Sequence, residues 1–202
     1  MSVKSKKPKL SVELIPTTCH FSNVRTTVTK TEWDKIRFIS YEAANNKCEI
    51  CGDTGKNQGY KHNVECHEIW EYNDSKKIQK LIGLISLCPT CHQVKHIGRT
   101  IAIGKEAIAL KQLARVNKWT IKQVQTHILE AFEVHRERSK YEWILDISIL
   151  KEEPYSIKLK ATKTRVFEVK KYKKKRKRSK TKTAAKKTAV KKKVTKRPPK
   201  KS

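Results

Sequence analysis

The sequence predicts an α+β protein: a small strand-and-helix centre pinned by cysteines, inside a mostly helical shell, followed by a basic tail. Three observations carry this. Two CxxC pairs, Cys48/Cys51 and Cys88/Cys91, bracket two strand-like runs. Apolar residues at helical spacing lie on both sides of that centre. Charge is distributed unevenly, with 24 Lys/Arg against 3 Asp/Glu in residues 151–202 and 24 against 16 in residues 1–150. The first 150 residues can therefore build a core. The remainder repels itself and has too few apolar groups to offset the entropy of ordering.

Taken in order, residues 1–12 read as a disordered basic lead and 13–150 as the folded domain. Residues 13–30, rich in Thr and Val, read as an extended wrap. Thr31 reads as the N-cap of a helix over 32–45, with Trp33, Ile36, Tyr41 and Ala44 as its apolar contacts. Residues 48–59 form a turn-rich knuckle, 63–70 a strand, 71–80 a polar loop and 81–87 (LIGLISL) a buried strand. Pro89 suits the first position of a helix over 89–97 that ends before Gly98. A helix over 105–116 presents Ile108, Leu110, Leu113 and Val116. Thr120 and Gln123 then form a capping box that opens a helix reaching about residue 140, with Val124, Ile128, Phe132 and Val134 along its stripe. Residues 141–150 read as a closing strand or hydrophobic strap, 151–170 as a linker, and 171–202 as a disordered tail with 18 Lys/Arg and no acid.

A net charge of +29 calls for a polyanionic partner. Nucleic acid is the default, because lysines gain affinity by releasing counterions from phosphates; an anionic membrane surface is the competing reading. No run of about 18 apolar residues is present, and the first residues, MSVKSKKPKL, lack a signal-peptide core. The expected location is intracellular: cytoplasm or nucleoid in a bacterium, otherwise nucleus or virus-associated. Thiols stay reduced there, so the six cysteines read as metal ligands before disulfides.

Two residues between cysteines let both thiolates of a tight turn face one metal, and two such turns close a tetrahedral site. Cys48, Cys51, Cys88 and Cys91 are thus candidate ligands of a structural Zn²⁺, with 36 residues enclosed between the pairs. Cys19 reads as a small buried residue; Cys66 adjoins a histidine and stays open. His92 and His96, spaced i, i+4, share a helix face and suit a divalent cation. His67 sits on the first strand, where an imidazole near neutral pKa suits proton abstraction. Glu65 shares a strand face with His67 and is a possible further ligand, while Cys66 and Glu68 point the other way. Lys95 and Arg99 are placed to hold neighbouring phosphates. His20, His62, His127 and His135 read as ordinary surface or hydrogen-bonded histidines.

The series CEIC, VECHEIW and LCPTCHQVKH over residues 48–98 resembles the HNH endonucleases, zinc-knuckle members of the ββα-metal nucleases. The flanks ELIPTTCHFSNVR, EWDKIR and FEVHRERSKYEWILDIS also look like a bacterial subfamily of HNH proteins. The resemblance implies a ββα-metal centre at about 63–97. It makes His67 the general base and gives His92 and His96 the cation, Mg²⁺, Mn²⁺ or another divalent ion, for phosphodiester hydrolysis. Two positions depart from the family pattern: Cys66 stands where Asp, Glu or His usually precedes the base, and the family's middle asparagine falls near Gly83. Asn73 and Asp74 are the nearby substitutes. The tail resembles lysine-rich linker-histone tails, and Lys173, Lys174, Lys175, Arg176, Lys177 and Arg178 are its densest phosphate contacts, or a nuclear-localisation-type address. The expected function is a metal-dependent endonuclease acting on DNA before RNA. The alternative is a catalytically lapsed HNH scaffold that binds or packages nucleic acid.

Overall fold

A computed structural model describes residues 7–159. The expected tail, with Lys173, Lys174, Lys175, Arg176, Lys177 and Arg178, lies outside the described residues, as do residues 160–170 and the first six. No described helix is long and apolar enough to cross a membrane.

The centre is an antiparallel hairpin followed by a helix: β1 (Glu65–Asn73), β2 (Ile78–Leu87) and α3 (Pro89–Lys95). Pairing runs from Glu65 opposite Leu87 to Asn73 opposite Ile78, with a bulge between Ile69 and Trp70. The strands therefore occupy most of the stretch read as a polar loop, leaving a short turn. Glu71 faces Lys80 directly across the ladder, so charges that suggested a loop are cross-strand partners. A third strand, β3 (Ile144–Asp146), pairs parallel with β2 and supplies the closing strand expected in 141–150.

Six helices surround this sheet among the described residues. α1 (Val24–Thr27) and a 3₁₀ turn at Thr17–Cys19 interrupt the segment expected to be extended throughout. α2 (Lys30–Ala43) begins two residues earlier than expected: Thr29, not Thr31, is its N-cap, because Glu32 lies three residues on and completes the capping box. α3 stops at Lys95, and α4 (Ile97–Ala102) carries the chain through Gly98. α5 (Glu106–Asn117) and α6 (Ile121–Arg138) follow, α6 opening on the expected Thr120–Gln123 box.

Two apolar clusters flank the hairpin. One joins Leu10 and Val12 to the knuckle, Leu87, α3, Ile97, Leu113 and Val124. The other joins Val24, Ile36 and Leu81 to Ile147, Leu150 and Ile157. Both ends of the expected domain move as a result. The lead expected to be disordered over 1–12 already contributes Leu10, fully buried, whose backbone N–H donates to Asn117 Oδ1 at 3.0 Å. The linker expected over 151–170 begins as core, because Ile157 is buried and Tyr155 and Leu159 pack beside it. Both segments depart from expectation for one reason: few apolar residues suffice when each fills a prepared space.

Candidate metal centre

The knuckle forms because two turns meet. Cys48 accepts the N–H of Gly52 through its carbonyl at 2.8 Å, and Gly52 holds φ of +76°, a turn that favours glycine. Cys88 stands just before α3, whose Pro89 starts the helix, and its carbonyl accepts the N–H of His92 at 2.9 Å. The loop between the turns is pressed onto α3 at Gly55, where a Cβ would lie 2.2 Å from the His62 carbonyl oxygen. All four sulfurs lie within 4.8 Å of one another, with Cys51–Cys88 at 3.5 Å and Cys51–Cys91 at 3.6 Å. Ligands at about 2.3 Å on a tetrahedral zinc would sit about 3.8 Å apart, so this donor set fits zinc. Gln112 of α5 donates to Cys91 Sγ at 3.0 Å. Mutual hydrogen bonds among the four sulfurs push the Cys48 and Cys88 thiols down and the Cys51 and Cys91 thiols up.

A second cluster lies where β1 faces α3. The ligand nitrogens of His67, His92 and His96 lie within 4.8 Å of one another. His92 Nε2 and His96 Nε2 are 3.1 Å apart, close to the spacing of two nitrogens bound at right angles to one ion at about 2.1 Å. Glu65 contacts His92 at Nδ1, and its other oxygen lies 3.0 Å from His62 Nε2. With Nδ1–H donating to that carboxylate, His92 Nε2 carries its lone pair toward His96. Glu65 is thus a brace behind His92, in place of the direct ligand the strand alternation allowed. Burial, reinforced by the neighbouring imidazoles, pushes His96 down to about 3, and burial also lowers His67. Both are therefore neutral at physiological pH, the state that can bind a cation or take a proton.

Glu13 is the residue that the sequence reading missed. It enters from the N-terminal segment and contacts His67 Nε2 at 3.2 Å and Lys95 through its other oxygen. Burial works against its charge, but the His67 hydrogen bond and the Lys95 charge outweigh it and hold the carboxyl down to about 2. No spacing signal marks Glu13, which lies 54 residues from His67. Its only hint was its place in the ELIP flank.

Lys95 is not a phosphate contact: it is 6% exposed and bound to Glu13 and to Ser11 Oγ at 3.1 Å. Arg99 is exposed beside His96, and its charge adds to the lowering of that imidazole. Cys66 turns away from the cluster toward Ser40 of α2, with its thiol raised to about 12 by burial. Glu68, also away from the cluster, accepts the N–H of Val24 at 2.8 Å at the start of α1. Neither nearby substitute reaches the base. Asn73 caps the hairpin turn, accepting from Lys76 N at 2.9 Å, and Asp74 pairs with Arg138 at 2.8 Å. At Gly83 a Cβ would find Ile69 Cδ1 at 3.8 Å, ordinary contact, so space is not what excludes a side chain there. His127 accepts from Val12 N at 3.0 Å and anchors the N-terminal segment, and Cys19 is buried.

Compared with family models, curated proteins and solved structures, the chain finds no match in any of the three.

Proposed function

We propose that the protein is a metal-dependent endonuclease of the HNH type, hydrolysing phosphodiester bonds of nucleic acid, with DNA ahead of RNA. The observation that carries this reading is the meeting of His67 on β1 with His92 and His96 at α3, beside a four-cysteine site that pins the helix. Strand, strand and helix in that order fit the resemblance drawn from CEIC, VECHEIW and LCPTCHQVKH.

The roles follow from the contacts. Glu13 occupies Nε2 of His67, which leaves Nδ1 to take a proton from water. The resulting hydroxide attacks phosphorus, the bond to the 3′ oxygen breaks, and that oxygen takes a proton from solvent. The products carry a 5′-phosphate and a 3′-hydroxyl. Glu13 does what the family's asparagine does, orienting the base, from another part of the chain. His92, braced by Glu65, and His96 would hold a divalent cation, which supplies positive charge against the leaving oxygen. Exposed Arg99 is the remaining candidate for a neighbouring phosphate.

A second reading, a catalytically lapsed HNH scaffold that only binds nucleic acid, draws on Gly83 at the asparagine position. Nicking of supercoiled plasmid with Mg²⁺, Mn²⁺ or Ni²⁺ separates the two. Wild type should nick and His67→Ala should not, with zinc content equal. A highly purified wild type that is silent with every divalent ion gives the second reading the field.

A further inference from the structure

A groove of about 570 Å³ runs between α2 and the knuckle loop and is lined at one end by Glu65. Arg37, Phe38 and Tyr41 of α2 line one side, and Lys56, Lys61 and His62 line the other. The Glu65 carboxylate touches His62 on the groove side and His92 on the cluster side. Glu65 is thus shared between the lining of the groove and the surroundings of the cluster.

Its chemistry is specific. Phe38 is 51% exposed. The Arg37 guanidinium lies 4.3 Å over that ring, fixed by Asp34 Oδ1 at 2.8 Å, and Tyr41 meets it edge-on at 6.0 Å. The ring is thus held by Arg37 on one face and by Tyr41 at its edge, while about half of the residue remains exposed. Lys56, Lys61 and His62 are exposed opposite it. A fixed aromatic ring facing two lysines is an arrangement that holds unpaired nucleotides, bases on the ring and phosphates on the lysines. A duplex would use the lysines alone, because its bases are already stacked on one another. An acidic protein segment would leave the aromatic without a planar partner.

We propose that this groove binds a single-stranded stretch of nucleic acid, stacking a base on Phe38 and holding flanking phosphates on Lys56 and Lys61. The strand then reaches the histidine cluster unpaired. The binding claim stands independently of the nuclease reading; the claim that the cut strand is the one in the groove rests on it.

The test is binding of a short labelled oligothymidylate and of a labelled duplex to the full chain, followed by fluorescence anisotropy without added divalent cation, so that cleavage plays no part. Salt of about 0.3 M suppresses the non-specific phosphate contribution, which falls steeply with salt. Phe38→Ala should weaken single-strand binding about 5- to 100-fold. Duplex binding should be unchanged, and Phe38→Trp should restore the loss. Lys56→Ala and Lys61→Ala should each reduce the salt slope for the single strand by about 0.7. Leu129→Ala, which trims a residue 67% exposed on α6, serves as control and should alter neither. Zinc content and circular dichroism should match wild type throughout. Phe38→Ala binding single strand as wild type does, or losing single strand and duplex equally, overturns the proposal. If wild type cuts nothing yet Phe38→Ala shows the selective loss, the nuclease reading falls and the groove stands.

Discussion

Glu13 concentrates the chemistry of this centre in one carboxylate. It fixes the tautomer and direction of His67 and at the same time neutralises Lys95, a buried cation that would otherwise be unpaired. Loss of a partner that orients a working imidazole typically costs about 10–100-fold, so Glu13→Gln should lower the nicking rate by about tenfold. The hydrogen bond and charge of Glu13 raise the affinity of His67 for a proton, against the larger lowering by burial. Removing that charge should shift the acid limb of the pH–rate profile to lower pH. A limb that stays in place means that His67 is not the group titrating. Pairing Glu13→Gln with Lys95→Met removes the stranded cation and separates loss of rate from loss of stability. His67→Ala should lose at least about 10²-fold with zinc retained. Glu68 makes a separate prediction. Burial lifts its carboxyl to about 7, above its ordinary 4.5. The unfolded chain gives up this proton more readily, so folding is penalised as pH rises from about 4.5 through about 7. Glu68→Gln keeps an oxygen for the Val24 N–H and should raise the melting temperature at pH 8 by on the order of 5 °C. At pH 4 the gain should disappear, and a gain independent of pH would point to packing instead.

At the scale of elements, the knuckle is what makes α3 usable. A helix of seven residues has little stability of its own, and its N-terminus is set by Cys88 and Cys91 together. Metal-binding energy at such a site is folding energy. Cys48→Ser or Cys91→Ser should therefore release zinc and unfold the centre, and a strong chelator should do the same. A variant with native circular dichroism and an unchanged melting temperature would show that the four sulfurs are ordinary buried thiols. Gly55→Ala tests the loop that leans on this helix. A methyl group there collides with backbone oxygen, not with a flexible side chain, so the loop must shift. The expected loss is about 1–3 kcal/mol in denaturant unfolding.

For the molecule as a whole, the two apolar clusters hold the hairpin from both sides. The net charge lies largely elsewhere: residues 171–202 hold 18 Lys/Arg and no acid, against a net of +29 for the chain. Deleting them should weaken binding to any duplex and flatten the slope of log affinity against log salt, by about 0.9 for each phosphate that the shortened chain leaves unneutralised. An unchanged slope would mean that this segment stays off nucleic acid. Selectivity for unpaired strand, by contrast, should survive the deletion, because it resides at Phe38.

Features that depend on short spacing were legible before the chain was folded. Cysteines two apart must share a turn, so the four-sulfur cluster could be read directly; His92 and His96 at i, i+4 do meet, although α3 stops at Lys95 and His96 is its C-cap. The Thr120–Gln123 box and the order strand, strand, helix were legible for the same reason, since each depends on neighbours in the chain. Which partners those groups meet follows from the packing of distant segments. That Glu13 reaches His67, that Lys95 is buried on Glu13, and that Glu65 braces His92 from behind all depend on where distant backbone segments pass. Leu10 and Ile157 look like parts of a lead and a linker because burial depends on the space a neighbour leaves, which composition does not encode. The groove at Phe38 is the extreme case: its two walls come from α2 and the knuckle loop, and an exposed aromatic becomes a platform only when cations are folded opposite it.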